Sequence, residues 1–196
     1  MNNKKSKRNY LKWKNNGSKL RKHGSNKVRN SGKKTLNSEQ FWQYSLSLYP
    51  AVKDLCLQWQ NNFGVNINLL LFLLYLDKQQ QSLSEAQLQQ LEDLLKHFST
   101  EVTQSIRALR RTLPSPWLQS DMQQPLRQQL LSTELAAEKL EQQLLVQQFN
   151  QLAVSDDILP HSQLLDHYLL LINAPVEQLD AEILDLYQQS QQLEHF

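Results

Sequence analysis

A single cysteine in 196 residues, Cys56, leaves no partner for an intrachain disulfide, so nothing supports life in an oxidising compartment and a reducing cytoplasm is the expected location. Glycine and proline are also scarce, at 4 and 6, too few turn residues for a many-stranded sheet, while Leu and Gln are abundant and favour helix. No apolar run approaches the ~20 residues that cross a bilayer. The longest, Leu69 to Leu76, reads as a buried core helix, and no membrane attachment is expected. The basic N-terminus is followed by no apolar stretch and no small-residue cleavage site, unlike a secretory signal. A glycine-rich phosphate loop, a Rossmann fingerprint and a nucleophile elbow are all missing. Nothing in the sequence argues for an enzyme, and no cofactor or metal is expected.

What is present is unevenly distributed. Thirteen Lys and Arg residues precede position 35 with no Asp or Glu among them, leaving 8 basic residues against all 19 acidic ones in the remainder. Residues 1–36 hold few apolar side chains and cannot offset the entropy of ordering, so a disordered basic tail is expected. Residues 37–196 should form one helical domain. At the boundary Asn37 can cap the first free N–H groups, with Gln40 at the capping-box position.

Phe41, Tyr44, Leu48 and Trp42 should then face inward. Pro50 suggests a new first turn, followed by a stripe of Val52, Leu55, Cys56, Trp59 and Phe63 that Gly64 ends. Asn66 or Asn68 can cap the all-apolar central helix. Ser84 and Gln87 form a capping box between the hydrophobic-staple pair Leu83 and Leu88. Leu88, Leu91, Leu95, Phe98, Val102, Ile106 and Leu109 continue a stripe, unbroken or bent near Ser99 and Thr100, until Leu113-Pro114-Ser115-Pro116. Pro125 should open a long helix carrying Leu126, Leu130, Ala137, Leu140, Leu144 and Leu152, and Pro160 and Pro175 begin two more, each with apolar residues at helical spacing. The expected fold is all-α: a helical-bundle-like domain of six or seven helices.

Candidate chemistry is sparse. Four histidines after the tail (His97, His161, His167, His195) show no HExxH, no Cys partner and no repeated Glu-x-x-His. Asp93 and His97 stand one turn apart as an ordinary surface pair. Asp156-Asp157 lacks the third aspartate of a diphosphate-binding motif and reads as a cap for the next helix. Arg107, Arg110 and Arg111 close a helix, where cations meet the negative end of its dipole; anion binding is the alternative. Cys56 reads as a small buried hydrophobe. The glutamine pairs, including Gln142-Gln143, fall on polar helix faces.

The segment Phe41-Trp42-Gln43-Tyr44-Ser45-Leu46-Ser47-Leu48-Tyr49, followed by Gly64-Val65-Asn66-Ile67-Asn68-Leu69-Leu70-Leu71-Phe72, resembles an uncharacterised proteobacterial family of small all-helical proteins, a domain of unknown function. The resemblance is distinctive through about residue 77 and implies a bacterial cytoplasmic helical protein without transferring an activity. Phe41, Trp42, Tyr44, Leu48, Gly64, Asn66, Asn68 and Phe72 carry it.

Three functional readings follow. The first is a non-enzymatic cytoplasmic helical interaction module whose acidic, glutamine-rich surface meets a protein partner. In the second, the tail is an electrostatic arm for RNA or DNA: Lys4, Lys5, Lys7, Arg8, Lys12, Lys14, Arg21 and Lys22 neutralise phosphates while Trp13 stacks on bases. Against it stand a merely solvated extension and a stretch that is not translated, since Val28 and Leu36 are residues encoded by alternative bacterial start codons and the composition breaks at Leu36. The third, a pocket among Trp42, Tyr44, Trp59 and Tyr75, requires a polar cavity with a perturbed carboxylate.

Overall fold

Asn37 begins the first helix as its side chain dictates. Its backbone is extended, and Oδ1 accepts from the N–H groups of Glu39 (2.8 Å) and Gln40 (3.0 Å). Helix α1 then runs over Ser38–Phe63. This is a computed structural model that describes residues 34–113 and 120–194, and all regular structure among them is helical. The restart expected at Pro50 does not occur. Phe41, Tyr44, Leu48, Val52, Cys56 and Trp59 form one buried stripe in phase across the proline, so both halves pack on the same core. Pro50 itself is exposed, where water can serve the carbonyl that loses its donor.

Gly64, at φ 73°, turns the chain out of α1 while its N–H donates to the Gln60 carbonyl at 3.1 Å. The left-handed conformation is the reason for glycine there. Of the two candidate caps for helix α2 (Ile67–Lys78), Asn66 does the capping, through Oδ1 and the Leu69 N–H. All eight residues from Leu69 to Leu76 are buried, none more than 3% exposed. An all-round apolar helix has only one stable place, the centre of the fold.

The remaining elements surround it. Helix α3 (Glu85–Phe98) starts at the expected Ser84/Gln87 capping box, with Leu83 and Leu88 both buried. It passes without interruption through a π-helical segment, Ser99–Thr103, into α4 (Gln104–Arg111). Helix α5 covers Ser120–Gln151. Short 3-10 turns after Pro160 and Pro175 lead into α6 (Leu164–Leu171) and α7 (Asp180–Gln191). Helix α2 packs against α1, α3, α5, α6 and α7. Aromatic contacts knit the centre: Phe41 lies 5.1 Å from Phe72 and 5.3 Å from Tyr75, and Phe149 of α5 meets Phe72 edge-on at 5.9 Å. Leu36, at the expected end of the tail, is 5% exposed and exchanges two 2.9 Å hydrogen bonds with the Asn150 side chain.

Two stripes differ from their expected course. Helix α5 begins at Ser120, with Pro125 inside it, and turns Glu134, Ala137, Glu141, Gln142, Leu145, Val146 and Phe149 inward. Leu126 and Leu140 are left 45% and 50% exposed. The face that buries acids was not the one that hydrophobic periodicity favoured, because its carboxylates are answered by partners on another helix. In α3 and α4 the wide π turn advances the phase of the chain. Ser99 and Thr103 are buried, Phe98, Val102 and Ile106 half-buried, and Leu109 is 56% exposed.

Candidate functional site

The phase change has a chemical consequence. Thr103, Arg107 and Arg110 stand at i, i+4 and i+7, a spacing that places them on one helix face, and Glu134, Glu138 and Glu141 repeat it on α5. The two rows meet in opposite directions. Thr103 Oγ1 donates to Glu141 Oε1 at 2.5 Å. Arg107 Nη2 donates to Glu138 Oε1 and its Nε to Glu134 Oε1, each at 2.6 Å. Arg110 Nε closes the ladder on Glu134 Oε2 at 2.5 Å. Arg107 and Arg110 thus have direct carboxylate partners in addition to their place late in a helix, whereas Arg111 is exposed.

The Glu141 end of the ladder is the most enclosed. Its side chain, in a residue 2% exposed, also accepts from Asn68 Nδ2 at 2.6 Å, and Asn68 Oδ1 accepts from Gln142 Nε2 at 2.9 Å. Asn68 is therefore no helix cap but the link from α2 to α5. Among the described residues no Lys or Arg makes an ion pair with Glu141.

Beside this network lies a cavity of about 130 Å³. Its lining includes Trp42, Ser45 and Tyr49 of α1, Asn68 and Leu71 of α2, Thr103 and Arg107, and Glu138, Glu141 and Gln142 of α5. Two residues of this lining each carry a buried polar atom without a hydrogen-bond partner, Ser45 Oγ and Gln142 Oε1. Ser45 and Gln142 are 3% and 2% exposed. A buried polar atom left unpaired costs about 1–3 kcal/mol.

The electrostatics are uneven. Burial raises the Glu138 carboxyl above its ordinary value; the Arg107 charge opposes this, and the neighbouring Glu134 and Glu141 charges add to it. For Glu134 burial acts upward too, but hydrogen bonds from Arg110 and Arg107 prevail and the carboxyl lies below its ordinary value. Burial likewise raises the Tyr49 hydroxyl. On the outer side, Lys139 Nζ pairs with Glu39 at 2.9 Å and lies 5.5 Å from the Trp42 ring centre. A broad open cleft shares Gln60, Asn66, Ser99 and Arg107 with the cavity and carries Glu92 and Lys96.

The sequence candidates divide. Of the four aromatics proposed to line a pocket, only Trp42 lines this cavity; Tyr44, Trp59 and Tyr75 are core, none more than 2% exposed. Tyr44 Oη is 2.6 Å from Ser190 Oγ, and Trp59 Nε1 donates to Glu182 at 2.7 Å. Phe41, Leu48 and Phe72 are core as well. Gln142, read as polar surface, is buried because Asn68 serves its amide. Asp93 accepts from Gln89 at 3.0 Å, one turn before it on α3. Asp156 and Asp157 are exposed, and the turn after Pro160 has no side-chain cap. His161 Nδ1 lies 2.6 Å from Asp77 Oδ1, tying the segment before α6 to the end of α2. Cys56 is fully buried and its thiol is pushed up to about 12 by burial.

The proposed nucleic-acid residues Lys4, Lys5, Lys7, Arg8, Lys12, Trp13, Lys14, Arg21 and Lys22 lie outside the described residues, as does His195. Among the described residues no group of three His, Cys, Asp or Glu side chains is placed to hold a metal ion, and no helix is long and apolar enough to cross a membrane. Sequence reasoning missed Ser45, Thr103, Glu134, Glu138, Glu141 and Gln142. The signal was there in the matched i, i+4, i+7 spacing of two rows, which becomes informative once α4 and α5 are known to be neighbours.

A family model described as "Protein of unknown function (DUF2390)" matches residues 40–145. The match extends well past the motif around Phe41 and Phe72, and it contains every residue that lines the cavity. No curated protein and no solved structure matches the chain.

Proposed function

We propose that this chain, which belongs to the DUF2390 family, is a non-catalytic binding module whose site is the polar cavity between α1, α2, the π segment, α4 and α5, and whose ligand is a small molecule. The observation that carries the reading is the pair of unpartnered buried atoms, Ser45 Oγ and Gln142 Oε1, on residues that line a cavity beside the hydrogen-bonded network of Asn68, Thr103, Arg107, Glu138 and Glu141. A ligand that hydrogen-bonds both removes a cost the free domain carries. Binding is favoured over catalysis because the one thiol is locked in the core and the ladder carboxylates are engaged with arginines or neutral donors.

Protein-observed NMR of the full chain against a library of small polar compounds tests this. Hits should move the amide signals of Ser45, Asn68, Thr103 and Gln142, and a cavity-filling Ser45→Leu variant that keeps its helical content should lose them. Hits confined to the open cleft beside Lys96, or no hits at all, would overturn the assignment.

The basic segment supports a second, separate reading, because 13 cations without an acid before position 35 favour phosphate neutralisation. Binding to a random RNA should weaken steeply with salt and vanish on deletion of residues 1–33; binding that survives the deletion excludes the arm. The surface-mediated reading has only scattered support. On α5, Leu126 and Leu140 form one exposed strip and Leu131 and Leu135 another, on about the opposite side of the helix at ~100° per residue, so they make no single seam.

A further inference from the structure

The character of the cavity narrows its ligand. Charge comes first. The lining carries two carboxylates, Glu138 and Glu141, against one guanidinium, Arg107. The second layer does not alter the balance, because Glu134 and Arg110 bring one charge of each sign, and Lys139 is paired with Glu39. Arg107 is already held by two carboxylates, so an anionic ligand would have to displace one of them and be buried beside the other. A cation would meet the surplus negative charge.

Hydrogen-bonding capacity points the same way. Lining residues carry acceptors that can still be used: Gln142 Oε1 and Ser45 Oγ, neither with a partner, and Glu138 Oε2, since Arg107 engages only Oε1. A primary ammonium has three donors and no acceptor. Three acceptors on residues of one lining match that inventory once their side chains turn toward the ligand, and each would be a charge-assisted bond. Size and polarity add a third constraint. A cavity of about 150 Å³ holds a benzene molecule of six non-hydrogen atoms, so the present one, about 130 Å³, takes a molecule of about five. Its apolar lining, Leu46, Leu57, Ile67, Leu71 and Leu135 with the Trp42 ring, suits a short hydrocarbon, and Leu46 and Leu135 are 49% and 46% exposed at the rim.

We propose that the ligand of this cavity is a small primary ammonium ion, its head held by Glu138, Gln142 and Ser45 and its hydrocarbon part lying against Trp42 and the rim leucines. The inference rests on the cavity-binding reading above and goes one step further, to the ligand's chemical class.

Titration of the full chain with three probes of one skeleton tests it: n-butylammonium chloride, 1-butanol and sodium butanoate, followed by the amide signals of Ser45, Asn68, Thr103 and Gln142. The ammonium should bind about tenfold or more tightly than the alcohol, the ratio expected for one charge-assisted bond in place of a neutral one. The butanoate should not bind. Glu138→Gln, which keeps the shape and the Arg107 contact, should bring ammonium and alcohol to within about twofold of each other. Glu92→Gln, in the open cleft, should leave the preference intact. Alcohol or butanoate binding at the cavity as tightly as the ammonium would overturn the ligand class and leave the cavity as the binding site. If none of the three moves those signals while the wider library yields cavity hits, the class again falls alone. If neither set reaches the cavity, both readings fall.

Discussion

Glu134 and Glu138 stand one turn apart on α5, and each accepts an Arg107 hydrogen bond of 2.6 Å, yet their replacement by glutamine should have unlike consequences. The Glu134 side chain is 5% exposed and receives a second charged hydrogen bond from Arg110. Its folded-state pKa is depressed from the ordinary 4.5. It therefore contributes stability that is fully present above that value and is lost as pH falls through the lower, folded one. Glu138 is 27% exposed with a single guanidinium contact, and its folded-state pKa is raised from 4.5. Here the native state holds the proton more firmly than the unfolded chain, so stability declines as pH rises from the ordinary value to the raised one.

Glu134→Gln keeps the shape and one acceptor oxygen but removes the charge that two guanidiniums share. A hydrogen bond to a charged group contributes about 1.5–3 kcal/mol, and with both arginines still partly solvated the loss should be about 2 kcal/mol at pH 7. That corresponds to a fall in Tm of about 4–8 °C for a chain of this size. Glu138→Gln should change stability by no more than about 0.5 kcal/mol at pH 7, or raise it slightly, because it removes a carboxylate whose ionisation the fold resists. Urea unfolding followed by helical circular dichroism, at pH 7 and again at pH 4, measures both. The Glu134 deficit should shrink at pH 4. Equal losses for the two variants at both pH values, or a Glu134→Gln loss under about 0.5 kcal/mol at pH 7, would refute the account of the ladder.

Phe72→Ala removes the ring that Phe41 and Phe149 pack against and should cost about 3–5 kcal/mol in the same unfolding assay. Gly64→Ala should cost about 1 kcal/mol, all of it backbone strain at φ 73°, since an added Cβ meets nothing within 4 Å. Gly64→Asn should cost less, because asparagine tolerates the left-handed region; the opposite order would mean that a clash and not the backbone sets the penalty. Cys56, fully buried with its thiol pushed up to about 12, should resist a thiol reagent at pH 8 until the domain unfolds. Stoichiometric labelling of the folded protein within minutes would contradict this placement.

Local signals were the legible part of this chain. Asn37, Gly64 and the Ser84/Gln87 box act through hydrogen bonds that span at most four residues, so they look the same in the sequence and in the fold. Pro50 misled for the opposite reason. A proline in a helix removes one local bond, and here a buried stripe that spans both sides of it outweighs the loss. Asn66 and Asn68 show the limit of local reading: either could cap α2, and the choice falls to Asn66 because Tyr168 Oη, from α6, accepts its backbone N–H at 2.8 Å while α5 claims Asn68.

By itself, the sequence determined the helical class, the caps at Asn37, Gly64 and Ser84, the burial of Leu69 to Leu76 and the break in charge after the basic segment. Each depends on composition, on 3.6-residue periodicity or on capping chemistry within a turn. Only the tertiary structure decided which face of α5 turns inward and where a ligand could sit. Acidic residues read as solvent-facing until a matching row of donors is set against them. That matching depends on a π turn at Ser99–Thr103 and on α4 and α5 lying side by side in opposite directions, an arrangement that no local periodicity encodes.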